Sequence, residues 1–170
     1  MSDKKKNLSS VETEIPSAKG MKFGIVVSEW NPEITNALYE AAHATLIKQG
    51  ADAEQIIKKN VPGSYELVLG AQWVAETSTV DAIICLGCVI QGETKHFDFI
   101  CDAVSIGLMQ LNVRFSKPFI FGLLTPNNME QAEARAGGAH GNKGDEAAIT
   151  AIKMVALKKS FSEKKKSIGY

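Results

Sequence analysis

Residues 82–90 read AIICLGCVI, nine positions with no charge and no proline. A run of that kind suits a strand buried on both faces, the pattern of a parallel sheet rather than of a half-exposed one. Outward from it the chain alternates in type. On the N-terminal side, residues 21–27 (MKFGIVV) form a second near-continuous apolar run. Asn31-Pro32 then reads as an N-cap followed by proline in the first helical turn. Ile34, Leu38, Ala41, Ala42 and Thr45 give the helical stripe, and Gly50 stands where a helix stop is expected. Residues 56–61 read as another buried strand, ended by Pro62-Gly63, with Ser64 as the cap of a helix reaching about Glu76.

On the C-terminal side, residues 91–95 read as a polar turn and residues 96–115 as a helix broken at Lys117-Pro118. Residues 119–124 (FIFGLL) are a fourth strand, and Thr125-Pro126-Asn127 a turn. A helix from Asn128 or Met129 to Ala136 follows. Residues 137–144 then read as a glycine-rich loop, and a last amphipathic helix runs from Asp145 through Ala148, Ile152 and Val155. Strands alternating with helices imply right-handed crossovers and a parallel sheet covered on both faces. The expectation is an α/β fold: a three-layer α/β/α sandwich, flavodoxin-like, with a four-stranded parallel sheet. One domain spans residues 21–161. Residues 1–20 read as a flexible or extended arm, since they lack helical periodicity and Pro16 resists a central strand. The stretch 11–15 has the character to pair with a neighbour's sheet edge. Residues 162–170 read as a lysine-rich, solvated tail.

Composition narrows the function classes. Lys+Arg and Asp+Glu each total 19, hydrophobic residues make up 45% and charged residues 22%. That balance favours neither nucleic acid nor a membrane surface. The first twenty residues lack the apolar core of a signal peptide, and no apolar run is long enough to span a bilayer. Three cysteines and no such leader lead us to expect a reducing cytoplasm. Cys85-Leu86-Gly87-Cys88 spells C-x-x-C, yet a spacing of three inside a strand puts the thiols on opposite faces, as small core residues. With no second pair there is no zinc set, and no metal is expected.

A doubly wound sheet places its site at the carboxyl ends of the strands. The turns at residues 28–31, 61–66, 89–96 and 124–127 should therefore share one rim. Trp30 there either stacks on a flat ring or covers the sheet edge. Gly63 allows close backbone approach. Ser64, Tyr65 and Glu66 offer amides and a carboxylate, although taken alone plain helix capping accounts for them better. Gln91-Gly92-Glu93-Thr94-Lys95-His96 is the richest turn, with a glycine and a hydroxyl residue at a helix start that make an anion cradle. The positive end of that helix favours a neutral His96, which beside a bound phosphate can move protons. His43 and His140 have no such setting. No Walker A, G-x-G-x-x-G, G-x-S-x-G or H-E-x-x-H motif occurs.

From Lys22 to about Phe161 the chain resembles the lumazine synthase family. The segments that carry the resemblance are GIVVSEWN (24–31), VPGSYELVLGA (61–71), DAIICLGCVIQGETKHFDFIC (81–101), PFIFGLLTPNNMEQAEARAG (118–137) and GNKGDEAA (141–148). It implies condensation of 5-amino-6-(D-ribitylamino)uracil with 3,4-dihydroxy-2-butanone 4-phosphate in riboflavin biosynthesis, without a cofactor. In that reading Trp30 stacks on the ring and Asn31 lies beside it. Ser64, Tyr65 and Glu66 hold the ribityl chain and pyrimidine. Cys88, Val89 and Ile90 meet the pyrimidine edge, Gly92, Glu93 and Thr94 bind phosphate, and His96 transfers protons. Phe121, Arg135 and Lys143 would reach the pocket from a neighbouring subunit, so the resemblance implies a homo-oligomer: a pentamer, with a sixty-subunit shell as a further expectation. The chain departs from the commonest family pattern at Glu29, Gln91 and Glu93. Two rivals stand beside this reading: a paralogous riboflavin synthase of archaeal type on a similar fold, and, on the strength of those departures, a shell protein that binds flavin or lumazine without turnover.

Overall fold

The structure is a computed structural model that describes residues 14–168, with side chains described through residue 162. Strands β1 (Phe23–Ser28), β2 (Ile56–Val61), β3 (Ala82–Cys88) and β4 (Phe119–Leu124) form a sheet of order β2-β1-β3-β4. All three pairings are parallel, with Phe23 opposite Ile56, Phe23 opposite Ala82 and Ile83 opposite Phe119. Helices α1 (Pro32–Lys48), α2 (Leu67–Thr77), α3 (His96–Phe115), α4 (Met129–Ala134) and α5 (Lys143–Ile168) complete the expected α/β sandwich.

The two-residue side-chain period of the strands divides the core. Phe23, Ile25, Val27, Ile84, Leu86 and Cys88 face Leu38 and Leu46 of α1 and Ile152 of α5. Val26, Ile83 and Cys85 face Leu67 and Val74 of α2 and Val104 and Leu108 of α3. Cys85 and Cys88 thus lie in different layers, as their spacing requires. All seven residues of β3 are buried, which explains why its run is unbroken.

Strand β2 departs from the expectation of burial. It is the edge strand, and Lys58, Lys59 and Asn60 are exposed. Lys58 Nζ stands 4.0 Å over the Tyr39 ring. Helix α4 is shorter than expected because residues 136–142 form a small hairpin of β5 (Ala136–Gly138) and β6 (Gly141–Asn142). Helix α5 starts two residues early, at Lys143, because the Asn142 carboxamide oxygen accepts from the Gly144 amide at 2.8 Å and caps the first turn. Asp145 instead accepts from the Thr45 hydroxyl at 2.8 Å and ties α5 to α1. Helix α5 continues to Ile168, past the end of its apolar stripe.

The stretch proposed to pair with a neighbour lies mostly outside the described residues. From Ile15 onward the arm is anchored: Ile15 packs against the core, Ala18 is fully buried, and its amide donates to the Gln49 carbonyl at 2.8 Å. No helix among the described residues is long and apolar enough to cross a membrane.

One polar side chain fastens α3 to β4. The Asn112 amide nitrogen donates to the Leu108 and Phe119 carbonyls at 2.7 and 3.0 Å, and its oxygen accepts from the Phe119 amide at 2.9 Å. Replacing Asn112 with alanine removes partners from partly buried backbone groups. A destabilisation of about 1–3 kcal/mol is expected, read as a lowered urea midpoint; an unchanged midpoint refutes the link.

Candidate active site

The strand order reverses between β1 and β3, and the carboxyl ends of these strands open a crevice where such sheets bind ligands. A cleft of about 770 Å³ lies there, lined by Trp30, Asn31, residues 63–66, residues 88–90, His96, Phe99 and Ile100. Its volume is in the range of small-molecule sites.

Three of the four rim turns meet in this cleft. Trp30 follows β1 and is 71% exposed, a large aromatic face held open to solvent. Of its two alternatives, the plate exposed in a cleft fits better than the edge cover. Asn31 does not cap α1 through its side chain, as the sequence suggested. Its backbone is left-handed (φ 56°, ψ 59°), and its amide donates to the Cys88 carbonyl at 3.0 Å, bracing the ends of β1 and β3. An asparagine tolerates that conformation better than most residues.

Ser64 is also not a cap. Helix α2 begins at Leu67, after Glu66, and the buried Ser64 hydroxyl reaches the Ser28 hydroxyl at 3.5 Å. The β2–α2 turn is thereby pinned to the end of β1, while Tyr65 and Glu66 stay exposed. His96 opens α3, and its amide donates to Thr94 Oγ1 at 3.4 Å. Gly92, Glu93 and Thr94 form an exposed turn beside the cleft but are not among its lining residues.

Phe99 and Ile100 line the cleft and were not anticipated. Their signal was available: on a helix beginning at His96, positions three and four further on share its face. Burial pushes the Cys88 thiol up to about 11, and raises Cys85 and, more mildly, Cys101 above the ordinary thiol range. Desolvation keeps these sulfurs protonated at neutral pH, so Cys88 contributes its position and backbone to the cleft rather than a thiolate.

The remaining predicted residues lie elsewhere. Phe121, Arg135 and Lys143 line a second cleft of about 650 Å³ with Thr125, His140 and Glu146. Arg135 ends α4, and its Nη1 donates to the Gln131 carbonyl at 3.1 Å. Lys143 forms an ion pair with Glu146 at 3.0 Å. Within the one chain, the predicted residues that line clefts therefore fall into two sets, a ring-and-imidazole set and a cationic set. Among the described residues no group of three or more His, Cys, Asp or Glu is placed to hold a metal.

The profile of the family described as 6,7-dimethyl-8-ribityllumazine synthase matches residues 20–159. The chain belongs to the lumazine synthase family. Three relatives that carry the name 6,7-dimethyl-8-ribityllumazine synthase show the extent of the likeness. The protein of Cytophaga hutchinsonii is 64% identical, over 92% of this chain and 98% of its own. That of Flavobacterium johnsoniae is 54% identical, over 95% of this chain and 86% of its own. That of Parabacteroides distasonis is 55% identical, over 88% and 94%. The lumazine synthase match contains both clefts, from Trp30 to Glu146.

Proposed function

We propose that the chain is a transferase of riboflavin biosynthesis, condensing 5-amino-6-(D-ribitylamino)uracil with 3,4-dihydroxy-2-butanone 4-phosphate to give 6,7-dimethyl-8-ribityllumazine, phosphate and water. The observation that carries the reading is the first cleft, which Trp30, Glu66 and His96 line together. Family membership supports it over the riboflavin synthase alternative.

In this reading Trp30 stacks on the pyrimidine. Asn31, Ser64, Tyr65 and Glu66 meet its ring and ribityl hydroxyls, and Cys88, Val89 and Ile90 offer backbone groups to the ring edge. The amine of the pyrimidine attacks the ketone of the second substrate, and an imine forms with loss of water. Phosphate then leaves by elimination, the resulting enol tautomerises to a second ketone, and the ribityl-bearing amine condenses with that ketone to close the ring with loss of a second water. His96 carries protons between these steps. Gly92, Glu93 and Thr94 border the phosphate through the turn before α3, with Glu93 acting through its amide, since its carboxylate would repel a dianion. Much of the acceleration comes from holding two substrates together.

The cationic set reaches the same pocket from the next protomer: Arg135 binds the departing phosphate, Phe121 completes the aromatic wall and Lys143 approaches beside them. That division requires a ring of subunits joined head to tail. We take the ring as a pentamer, with a sixty-subunit shell as its further assembly, working in the cytoplasm.

The direct test mixes purified protein with the two substrates and follows the lumazine chromophore together with released phosphate. Stoichiometric phosphate and chromophore above the spontaneous background support the enzyme. No phosphate release from these substrates, with consumption of added 6,7-dimethyl-8-ribityllumazine in a parallel reaction, points to the riboflavin synthase chemistry. Ring binding with no turnover makes it a binder.

A further inference from the structure

We infer that Gly63 is a positioning residue, whose missing side chain leaves the Glu66 carboxylate room to stand where it does in the cleft and so sets affinity for the ribityl chain. Gly63 is not among the glycines of positive φ, so its backbone would accept another residue. What excludes a side chain is space. A Cβ built at Gly63 would stand 2.9 Å from Glu66 Oε2 and 3.4 Å from Trp30 Cδ1. The second distance is ordinary crowding. The first is inside van der Waals contact, and it falls on the far end of a flexible side chain.

The consequence is selective. Alanine at position 63 leaves the fold intact, because the only severe contact is relieved by turning one exposed glutamate. It does not leave the carboxylate in place. Hydrogen bonds to a carboxylate are strong but depend steeply on distance and angle, so a displaced Glu66 loses the hydroxyls it should hold. Trp30, with Cδ1 only at the margin of contact, keeps its plate. This inference rests on the proposed reaction for the identity of the ligand, and on the geometry for the role of Gly63.

The test is Gly63→Ala in the full chain. Its melting temperature should match the parent. KM for the ribitylamino-pyrimidine should rise roughly tenfold, the loss of one charge-assisted hydrogen bond. The turnover number and KM for the butanone phosphate should stay within about twofold. The same substitution made in a Glu66→Ala background should add less than about twofold, because the group it displaces is already gone. A merely structural role for Gly63 predicts an undiminished effect there, and that result overturns the inference, as does parental KM in Gly63→Ala. Equilibrium dialysis with 6,7-dimethyl-8-ribityllumazine reads the same loss without turnover. A parent that binds the lumazine but does not react defeats the proposed reaction and leaves the geometric inference to be decided by dialysis. Failure of Gly63→Ala to accumulate folded, with Gly63→Ala in the Glu66→Ala background failing equally, means that more than the glutamate must yield to the added methyl and overturns the inference.

Discussion

Gly144→Ala is expected to be the most damaging single-methyl addition in the molecule. A Cβ at Gly144 would stand 2.0 Å from the Leu38 carbonyl oxygen, 2.8 Å from the Leu38 carbonyl carbon and 3.0 Å from Asn142 Oδ1. Two of those atoms are main chain in the middle of α1, and the third caps α5. None of them can turn aside, so relief requires the start of α5 to move away from α1 by more than an ångström. That movement strains the Thr45–Asp145 hydrogen bond and the layer where Leu38, Leu46, Ala148 and Ile152 meet. Overpacking commonly costs about 1–3 kcal/mol, and a rigid backbone contact belongs at or above the top of that range. Against a total of about 5–15 kcal/mol this is a large share. Thermal unfolding followed by circular dichroism should show a loss of roughly 10 °C, together with poor soluble yield. A melting temperature within about 2 °C of the parent would mean that the two helices do not approach as described.

The second large effect concerns the division of predicted site residues between two clefts. His96→Ala removes the proton carrier and should slow turnover by roughly 10²–10⁴-fold. Arg135→Ala removes the phosphate donor and should cost roughly 10²-fold or more. If each working site takes its imidazole from one protomer and its guanidinium from the next, the two inactive variants repair each other. Dissociated and reassembled at equal ratio, they should place an intact pair at roughly a quarter of the junctions of a head-to-tail ring, restoring about that fraction of parental activity. Sites contained in single protomers would give only the sum of the two residual rates. That outcome would contradict a shared pocket, while leaving the chemistry itself open to the substrate assay.

Much of this arrangement was legible in the residues, and the exceptions have physical reasons. Strands β1 and β3 announce themselves because burial on both faces leaves an unbroken apolar run, and burial of all of β3 matches its sequence. Strand β2 shares the apolar ends Ile56, Ile57 and Val61, but the exposed Lys58-Lys59-Asn60 between them is the mark of an edge rather than of a buried strand. The two expected caps failed for a shared cause. Capping is a local argument, whereas Asn31 and Ser64 are claimed by partners distant in sequence, the Cys88 carbonyl and the Ser28 hydroxyl. Phe99 and Ile100 were missed although helical spacing from His96 would have found them. Phe121, Arg135 and Lys143 carry no local pattern that marks them as a set. They came only from family resemblance, and the structure gathers them in one cleft apart from Trp30.

Because β2 closes the sheet on one side, its outer main-chain amides and carbonyls have no ladder partner among the described residues. Such a border is a vulnerable place, where a misplaced strand from another molecule can attach and seed fibrils. The paired ammonium groups of Lys58 and Lys59 repel a second copy of the same border, and they leave admission open to a strand of different charge. Resistance to amyloid-like stacking is thereby written into one short edge segment.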